Sequence, residues 1–195
     1  MKRRARRSLG PMLLAATLIA AASAAACPDP TERSQREDPV TGGEQLLPIP
    51  QARVPLDGVL SGGQPTADHI AAAARGGYRT VVNLRAEGEA GFEWERAAVE
   101  SHGMRYVHIP IAGAEDLTRA NVELVDAALR EARDRGAVIL HCGSGNRIGA
   151  VLALRAAWLE GADPQAALDH GLASGLTRLE PATREILGLE GAADE

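Results

Sequence analysis

The sequence predicts an α/β domain with a mostly parallel central sheet flanked by helices. Short apolar runs rich in β-branched residues, such as Thr80 to Leu84 and Ala137 to Leu140, alternate with longer segments of helix-forming residues. This alternation favours parallel pairing, because each intervening helix carries the chain back across the sheet between two strands. Glycines, prolines and N-capping residues separate the segments and mark their ends.

The first half of the domain is predicted to contain three strands and two helices. Thr66 is a helix-capping residue, Gly76 and Gly103 follow helical segments, and Pro110 ends an apolar run. In chain order we expect a strand at Val59 and Leu60, a helix from Thr66 to about Arg75, a strand from Thr80 to Leu84, a helix from Glu93 to Ser101 and a strand from Arg105 to Ile109.

The second half is predicted to contain one further strand and four helices. A helix capped by Thr118 presents apolar side chains at helical spacing before Gly136, and prolines suit the first turns of the last two helices. In order we expect helix Thr118 to Arg135, strand Ala137 to Leu140, helix Ala150 to Leu159, and helices Pro164 to His170 and Pro181 to Leu187.

Cys142 lies at a junction between a strand and a helix, in the loop His141-Cys142-Gly143-Ser144-Gly145-Asn146-Arg147. The first N–H groups of a helix have no intrahelical acceptor, and they attract an anion. A helix N-terminus and a nearby cation lower the pKa of a cysteine thiol to roughly 3.5–7.5. We therefore expect Cys142 to be a nucleophilic thiolate, provided that an anion can reach its sulfur.

The remaining residues of the loop fit an anion cradle. The guanidinium of Arg147 can bind two oxygens of a tetrahedral anion, and residues Gly143, Ser144, Gly145 and Asn146 supply backbone N–H groups around it. His141 points to the opposite face of the strand, so we expect it to support the loop by a hydrogen bond. The alternative is that Cys142 is an ordinary buried residue.

This loop resembles that of the cysteine-dependent protein tyrosine and dual-specificity phosphatases. It departs from their pattern in having four residues rather than five between Cys142 and Arg147, and in having Ile148 where a hydroxyl residue is usual. The shorter loop is also similar to that of rhodanese sulfurtransferases. Within the phosphatase superfamily, the short loop and three upstream segments resemble the beta-lactamase-hydrolase-like phosphatases: Leu60 to Thr66, Thr80 to Arg85 and Tyr106 to Ile111.

The resemblance covers roughly Val54 to Gly161 and implies a dual-specificity-phosphatase-like fold. It also implies hydrolysis of phosphomonoesters through a cysteinyl phosphate, without a cofactor or metal. Asp116 lies where such enzymes keep their general acid, with Glu115 as a rival. Arg85 ends a strand, and either it projects toward the pocket to bind substrate or it pairs with Glu87 or Glu89.

Two other functions use the same loop. A rhodanese-like sulfurtransferase would carry sulfur as a persulfide on Cys142, and a non-catalytic protein would bind phosphorylated ligands without turnover. In all three cases the expected partner is a phosphorylated substrate or a small oxyanion. A metal is not expected, because the histidines lack the spacing of a ligand set: His69, His102, His108 and His170.

The N-terminal segment has the pattern of an export signal. Residues 1–26 are basic and then apolar, and they end in small residues before Cys27. This pattern predicts a bacterial lipoprotein signal with Cys27 as the acylated residue, or plain secretion, and hence a periplasmic or membrane-anchored protein. Residues 27–53 read as a flexible tether and residues 54–195 as the catalytic domain.

Charge and cysteine content narrow the possible partners. The net charge of −5 falls to about −10 without residues 1–26, which hold five of the 21 basic side chains and no acidic one. An acidic surface excludes extended nucleic-acid binding, and contact with a membrane is expected only through a lipid on Cys27.

Cys27 and Cys142 are the two cysteines. A disulfide between them is the alternative to a free thiol at Cys142.

Overall fold

A computed structural model describes residues 47–90 and 93–189, which contain one five-stranded sheet. The strands are β1 (Arg53–Leu56), β2 (Val59–Gly62), β3 (Tyr78–Asn83), β4 (Arg105–His108) and β5 (Ala137–His141). Their order across the sheet is β1-β2-β5-β3-β4. Strand β1 pairs antiparallel with β2 and the other pairs are parallel, which confirms the predicted mostly parallel α/β architecture.

Helices cover both faces of this sheet. They are α1 (Ala67–Arg75), α2 (Glu95–Ser101), α3 (Arg119–Arg133), α4 (Asn146–Glu160), α5 (Pro164–Ala173) and α6 (Glu180–Ile186), and a 3-10 turn spans Ala114–Asp116. Thr66 and Thr118 cap their helices as predicted, each hydroxyl accepting the N–H of the residue three positions later. The side chain of Asp163 does the same at the start of α5.

The structure contains one strand that the sequence does not predict, and several helices and strands begin or end at other residues than expected. Strand β1 was not expected, because its four residues are at most half-buried and show no apolar alternation. Helix α2 begins at Glu95 rather than at Glu93. Helix α4 begins at Asn146 rather than at Ala150, because Gly145 with φ 85° turns the loop directly into the helix.

The sheet separates two hydrophobic cores. Successive side chains of a strand point to opposite faces, so Ile139 packs on the side of α1 and α2 while Leu140 packs on the side of α3 and α4. The same alternation continues past the end of β5, where Cys142 belongs to the α3 and α4 side. Residues 141 and 142 therefore face different helices.

The folded domain begins before the expected boundary at Val54. Ile49 is only 3% exposed and packs in the core with Leu60 and Ile70. The N–H of Gly63 also donates to Pro50 O at 2.7 Å. The tether predicted to reach residue 53 is thus too long at its C-terminal end. The predicted signal (1–26), Cys27 and the tether as far as residue 46 lie outside the described residues.

Within residues 47–90 and 93–189, none of the helices has both the length and the hydropathy that crossing a bilayer requires.

Candidate active site

The site residues meet at the edge formed by the carboxyl ends of the parallel strands. Gly62 of β2 is level with His141 of β5, His141 is level with Asn83 of β3, and Asn83 is level with His108 of β4. Residues that follow these four positions therefore project from a single edge. Ligands of open parallel sheets bind at such an edge.

The Cys142 loop is held by backbone hydrogen bonds. The N–H of Cys142 donates to Gly62 O at 3.2 Å, and Gly63 forms a β-bridge with Ser144. The N–H of Gly145 donates to Cys142 Sγ at 3.1 Å. The structure thus places one loop amide, that of Gly145, against the sulfur. The binding roles expected for Gly143, Ser144 and Gly145 stay predictions.

Cys142 is less accessible than the sequence interpretation requires. The residue is a free thiol but is 0% exposed. Arg147 lies over the loop, since a Cβ on Gly143 would be 3.2 Å from its Nη2. Interaction with the Cys142 thiol is among the causes that raise the pKa of Arg147, after the hydrogen bond to Glu89. The guanidinium therefore lies close to the sulfur, and the sulfur has no exposed surface in this conformation.

Glu89 fixes the orientation of Arg147. Its two carboxylate oxygens accept hydrogen bonds from Nη1 and Nη2, the second at 2.9 Å, and Nη1 also donates to Ile111 O at 3.1 Å. The hydrogen bond from Arg147, helped by the backbone N–H of Ala86 and by Arg85, lowers the pKa of Glu89 from 4.5 to about 2 despite partial burial. Glu89 is therefore ionised at neutral pH.

Arg85 pairs with Glu89 and does not reach the pocket. Its Nε donates to Glu89 Oε2 at 3.1 Å, its Nη1 donates to Gln64 Oε1, and its Nη2 donates to Ala90 O at 2.7 Å. Arg85 is 7% exposed, and three of its five N–H groups donate to protein groups. Of the two roles expected for Arg85, the structure shows the pairing with Glu89, and substrate binding stays a prediction.

His141 contacts a buried carboxylate on the other face of the sheet. Its Nε2 lies 2.8 Å from Glu95 Oε1, and both side chains are 0% exposed. The expectation that His141 supports the site is retained, but its partner belongs to α2 and not to the loop. A buried carboxylate requires compensating donors or charges, and three further side chains supply donors to Glu95: Gln64 at 3.0 Å, Asn83 at 2.8 Å and Tyr106 at 3.2 Å.

This buried cluster has a clear electrostatic effect on Tyr106. Burial of the hydroxyl, with the nearby charge of Glu95 acting in the same direction, raises the pKa of Tyr106 to about 12. Tyr106 therefore remains a neutral donor to Glu95 at physiological pH. Sequence reasoning missed Glu95, because a glutamate in a short helix gives no sign that it faces the interior.

A cavity of about 370 Å³ opens above the loop. It is lined by Glu89, Ala112, Asn146, Arg147, Arg178 and Leu179. Asn146 thus lies at the pocket as expected, but its side-chain oxygen is engaged by Thr177 and Leu179, so it offers the ligand only its remaining groups. Arg178 was not predicted, because nothing in the sequence connects residue 178 with residue 147.

Asp116 lies next to this cavity rather than in its lining. Its Oδ2 accepts the N–H of Ala112 at 2.7 Å, and Ala112 is a lining residue. The side chain of Asp116 is half-buried at the end of the 3-10 turn, whereas its neighbour Glu115 is exposed.

The structure contains a second cavity, far from the Cys142 loop. This larger cavity, of about 550 Å³, lies at the opposite edge of the sheet, between residues such as Asp57, Arg133 and Gly136, and it includes none of the predicted site residues. Within the described ranges, no group of three or more His, Cys, Asp or Glu side chains is placed to hold a metal ion.

Comparison with solved structures gives the same fold. A DUF442 protein from Shewanella putrefaciens CN-32 aligns over 73% of this chain and 94% of its own, with 19% identity and a TM-score of 0.56. Tk-PTP in its active form aligns over 73% and 99%, with 21% identity and a TM-score of 0.54. Pseudomonas aeruginosa TpbA in complex with phosphotyrosine aligns over 66% and 77%, with 23% identity and a TM-score of 0.52.

Sequence comparison identifies the family. A beta-lactamase hydrolase-like protein of Xylella fastidiosa is 37% identical over 89 residues, which are 44% of this chain and 20% of that protein. The chain therefore matches about a fifth of the length of this relative. The family model for the phosphatase-like domain of beta-lactamase hydrolase-like proteins matches residues 58–158. The chain belongs to this family of phosphatase-like domains and has the fold of the tyrosine and dual-specificity phosphatases.

Proposed function

We propose that this domain is a cysteine-dependent phosphatase that hydrolyses phosphomonoesters. The observation that carries the proposal is the contact of Cys142 Sγ with the N–H of Gly145, at the floor of a loop covered by the Arg147 guanidinium. A thiolate and an oxyanion clamp are the two groups that phosphoryl transfer to sulfur requires. Family membership and the phosphotyrosine bound to TpbA, a protein of the same fold, support a phosphorylated ligand.

The reaction has two displacement steps. The Cys142 thiolate attacks phosphorus, the bond from phosphorus to the ester oxygen breaks, and the departing oxygen takes a proton from an acid. Water then attacks the cysteinyl phosphate, loses a proton, and releases inorganic phosphate and the thiolate. The oxidation state of every group is unchanged.

Arg147 is oriented to bind the phosphoryl oxygens. Glu89 and Ile111 O take up three N–H groups from its Nη1 and Nη2. The Nε–H and the second Nη2–H share one edge of the planar group, and we propose that this edge moves from the Cys142 thiol to the incoming phosphoryl group. Because Glu89 holds the other edge, little side-chain entropy remains to be lost on binding.

The proton donor is proposed to be Asp116. Glu89 lines the cavity, but its pKa of about 2 excludes it as a donor at neutral pH. The half-buried carboxyl of Asp116 accepts the N–H of Ala112, a residue of the cavity wall, and we propose that it turns from this N–H toward the leaving group.

Replacing the nucleophile tests the mechanism. We expect Cys142→Ser to reduce turnover of p-nitrophenyl phosphate to background, because a serine hydroxyl is not ionised at neutral pH, whereas Cys27→Ser retains turnover. The measurement is steady-state release of p-nitrophenol by the purified full chain. Unchanged turnover in Cys142→Ser refutes the nucleophile. Wild-type transfer of sulfur from thiosulfate, without phosphate release, indicates the sulfurtransferase instead.

Replacing the acid tests the second role. We expect Asp116→Asn to lower kcat on phenyl phosphate, whose leaving group needs a proton, by roughly a hundredfold, and to remove the decline of kcat at high pH. Glu115→Gln is the matched control, and we expect it to keep the wild-type kcat and the decline of kcat at high pH. If Asp116→Asn preserves the pH profile, Asp116 is not the proton donor. If kcat falls in Glu115→Gln instead, Glu115 is the proton donor.

Replacing Glu89 tests the orientation of Arg147. A depressed carboxyl pKa contributes stability that is complete above the unfolded value of 4.5 and is lost as the pH falls toward 2. We therefore expect Glu89→Gln to be less stable than wild type at pH 7 by about 1 kcal/mol, the upper range for a partly exposed pair. This difference shrinks below pH 4.5.

Urea unfolding at pH 7, 5 and 3 measures this difference. Glu87→Gln removes an exposed carboxylate from the same loop and is the control. A gap between Glu89→Gln and wild type that is independent of pH contradicts the role of the Glu89 charge.

We further propose that the domain acts outside the cytoplasm, attached to the membrane by a lipid on Cys27. The basic and apolar residues before Cys27 support this proposal. We expect the full chain, expressed in a bacterium, to incorporate labelled palmitate, and Cys27→Ser to lose the label. Absence of label from wild type contradicts lipid anchoring, and plain secretion then predicts recovery in the periplasmic fraction.

A further inference from the structure

The cavity above the Cys142 loop contains two arginines and one acid. Glu89 forms ion pairs with Arg147 and with Arg85. Arg178, on the same cavity, is exposed and forms no ion pair within residues 47–90 and 93–189. The charge of Arg147 is therefore compensated inside the protein, whereas the charge of Arg178 is available to a ligand.

The backbone on both sides of Arg178 is fixed to the loop. The side-chain oxygen of Asn146 accepts hydrogen bonds from the N–H of Thr177 at 2.9 Å, from the hydroxyl of Thr177 at 3.1 Å and from the N–H of Leu179 at 3.1 Å. Asn146 is the first residue of α4 and is 7% exposed. Hydrogen bonds to Asn146 thus fix the position of Arg178 relative to the loop that contains Cys142.

A close crossing of α4 and α5 brings this segment to the cavity. A Cβ on Gly149 of α4 would lie 2.2 Å from the N of Leu176 and 2.6 Å from Gly171 O. Gly175 has φ 106° and lies against Gly145 O, which a Cβ would approach to 3.3 Å. With no side chain between the two backbones, the segment that carries Arg178 rests directly on the start of α4.

We infer that the substrate of this site is a phosphomonoester whose leaving group carries a second anionic group, and that Arg178 binds that group. This inference rests on the proposed phosphatase function. The phosphoryl group occupies the loop and the free edge of Arg147, while the leaving group extends along Ala112 and Leu179 toward Arg178. A carboxylate and a second phosphate share the required chemistry, since both accept hydrogen bonds from a guanidinium.

Matched aryl phosphates separate the effect of charge from that of shape. Kinetics of the full chain are measured with 3-carboxyphenyl phosphate and with its neutral counterpart 3-carbamoylphenyl phosphate, and the same pair is measured for the 4-isomers. A third arm, 1,3-phenylene bisphosphate, distinguishes a second phosphate from a carboxylate. We expect the wild type to favour the carboxylate over the carboxamide by about tenfold in kcat/KM for one of the isomers, which is the range of a charge-assisted hydrogen bond.

Variants of Arg178 assign this preference to one side chain. We expect the ratio to fall to about one in Arg178→Ala and below one in Arg178→Glu, since the latter repels the second anion. Arg75→Ala removes an exposed arginine at the end of α1, before the amino end of β3, and keeps the wild-type ratio. The preference of the wild type for the carboxylate over the carboxamide is measured without a variant, so it does not depend on whether the Arg178 variants fold.

Each other outcome overturns the inference. If the wild type turns over both members of each pair equally, Arg178 selects no second anion. If Arg178→Ala loses activity on both members equally, Arg178 binds the phosphoryl group instead. If no aryl phosphate is hydrolysed, the proposed phosphatase function fails and this inference fails with it, whereas hydrolysis without a charge preference contradicts only the inference.

Discussion

The arrangement of the site depends on one chain of polar contacts that passes from the residue before the thiol to the arginine above it. It crosses the end of the sheet and joins each hydrogen-bond donor to an acceptor, so that the carboxylates of Glu95 and Glu89 both have partners. The members, in order of contact, are His141, Glu95, Gln64, Arg85, Glu89 and Arg147. Movement of any one of them alters the contacts of its neighbours.

The cost of breaking this chain explains why it constrains the loop. Burying an ionised carboxylate without partners is strongly unfavourable, and removing one partner leaves the other charge uncompensated. Glu95 avoids that penalty only where β3, β4 and β5 present Asn83, Tyr106 and His141 on the same face of the sheet, near its carboxyl edge. The register of the strands and the position of the Cys142 loop are therefore coupled energetically.

The two faces of the sheet have different parts in this arrangement. On the side of α1 and α2, polar residues follow the core and anchor His141. On the side of α3 and α4, the apolar core continues up to Cys142, and Ile148 is packed within it at 0% exposure. The position after Arg147 thus supports packing rather than assisting the thiolate, which accounts for an apolar residue where related phosphatases have a hydroxyl. Helix α4 thus packs in the core and begins at the loop that contains Cys142.

The sequence by itself determined the alternation of strands and helices, the N-caps of α1 and α3, and the position of Cys142 between β5 and α4. These features depend on residues close together in the chain, through periodicity, capping and glycine conformation. Arg147 was also identified, because it lies five positions after the thiol. The loop from Cys142 to Arg147 could therefore be identified from residues that are neighbours in the sequence.

Only the tertiary structure decided which distant side chains meet. The pairing of Glu89 with two arginines, the burial of Glu95 and the approach of Arg178 join elements that lie far apart in sequence. A single glutamate or arginine gives the same sequence signal whether it lies on a solvated surface or beside a site. Which residues surround it is decided by the order of the strands and the crossing of the helices. For the same reason the sequence predicted a thiol open to ligands, whereas the folded chain places a guanidinium over it.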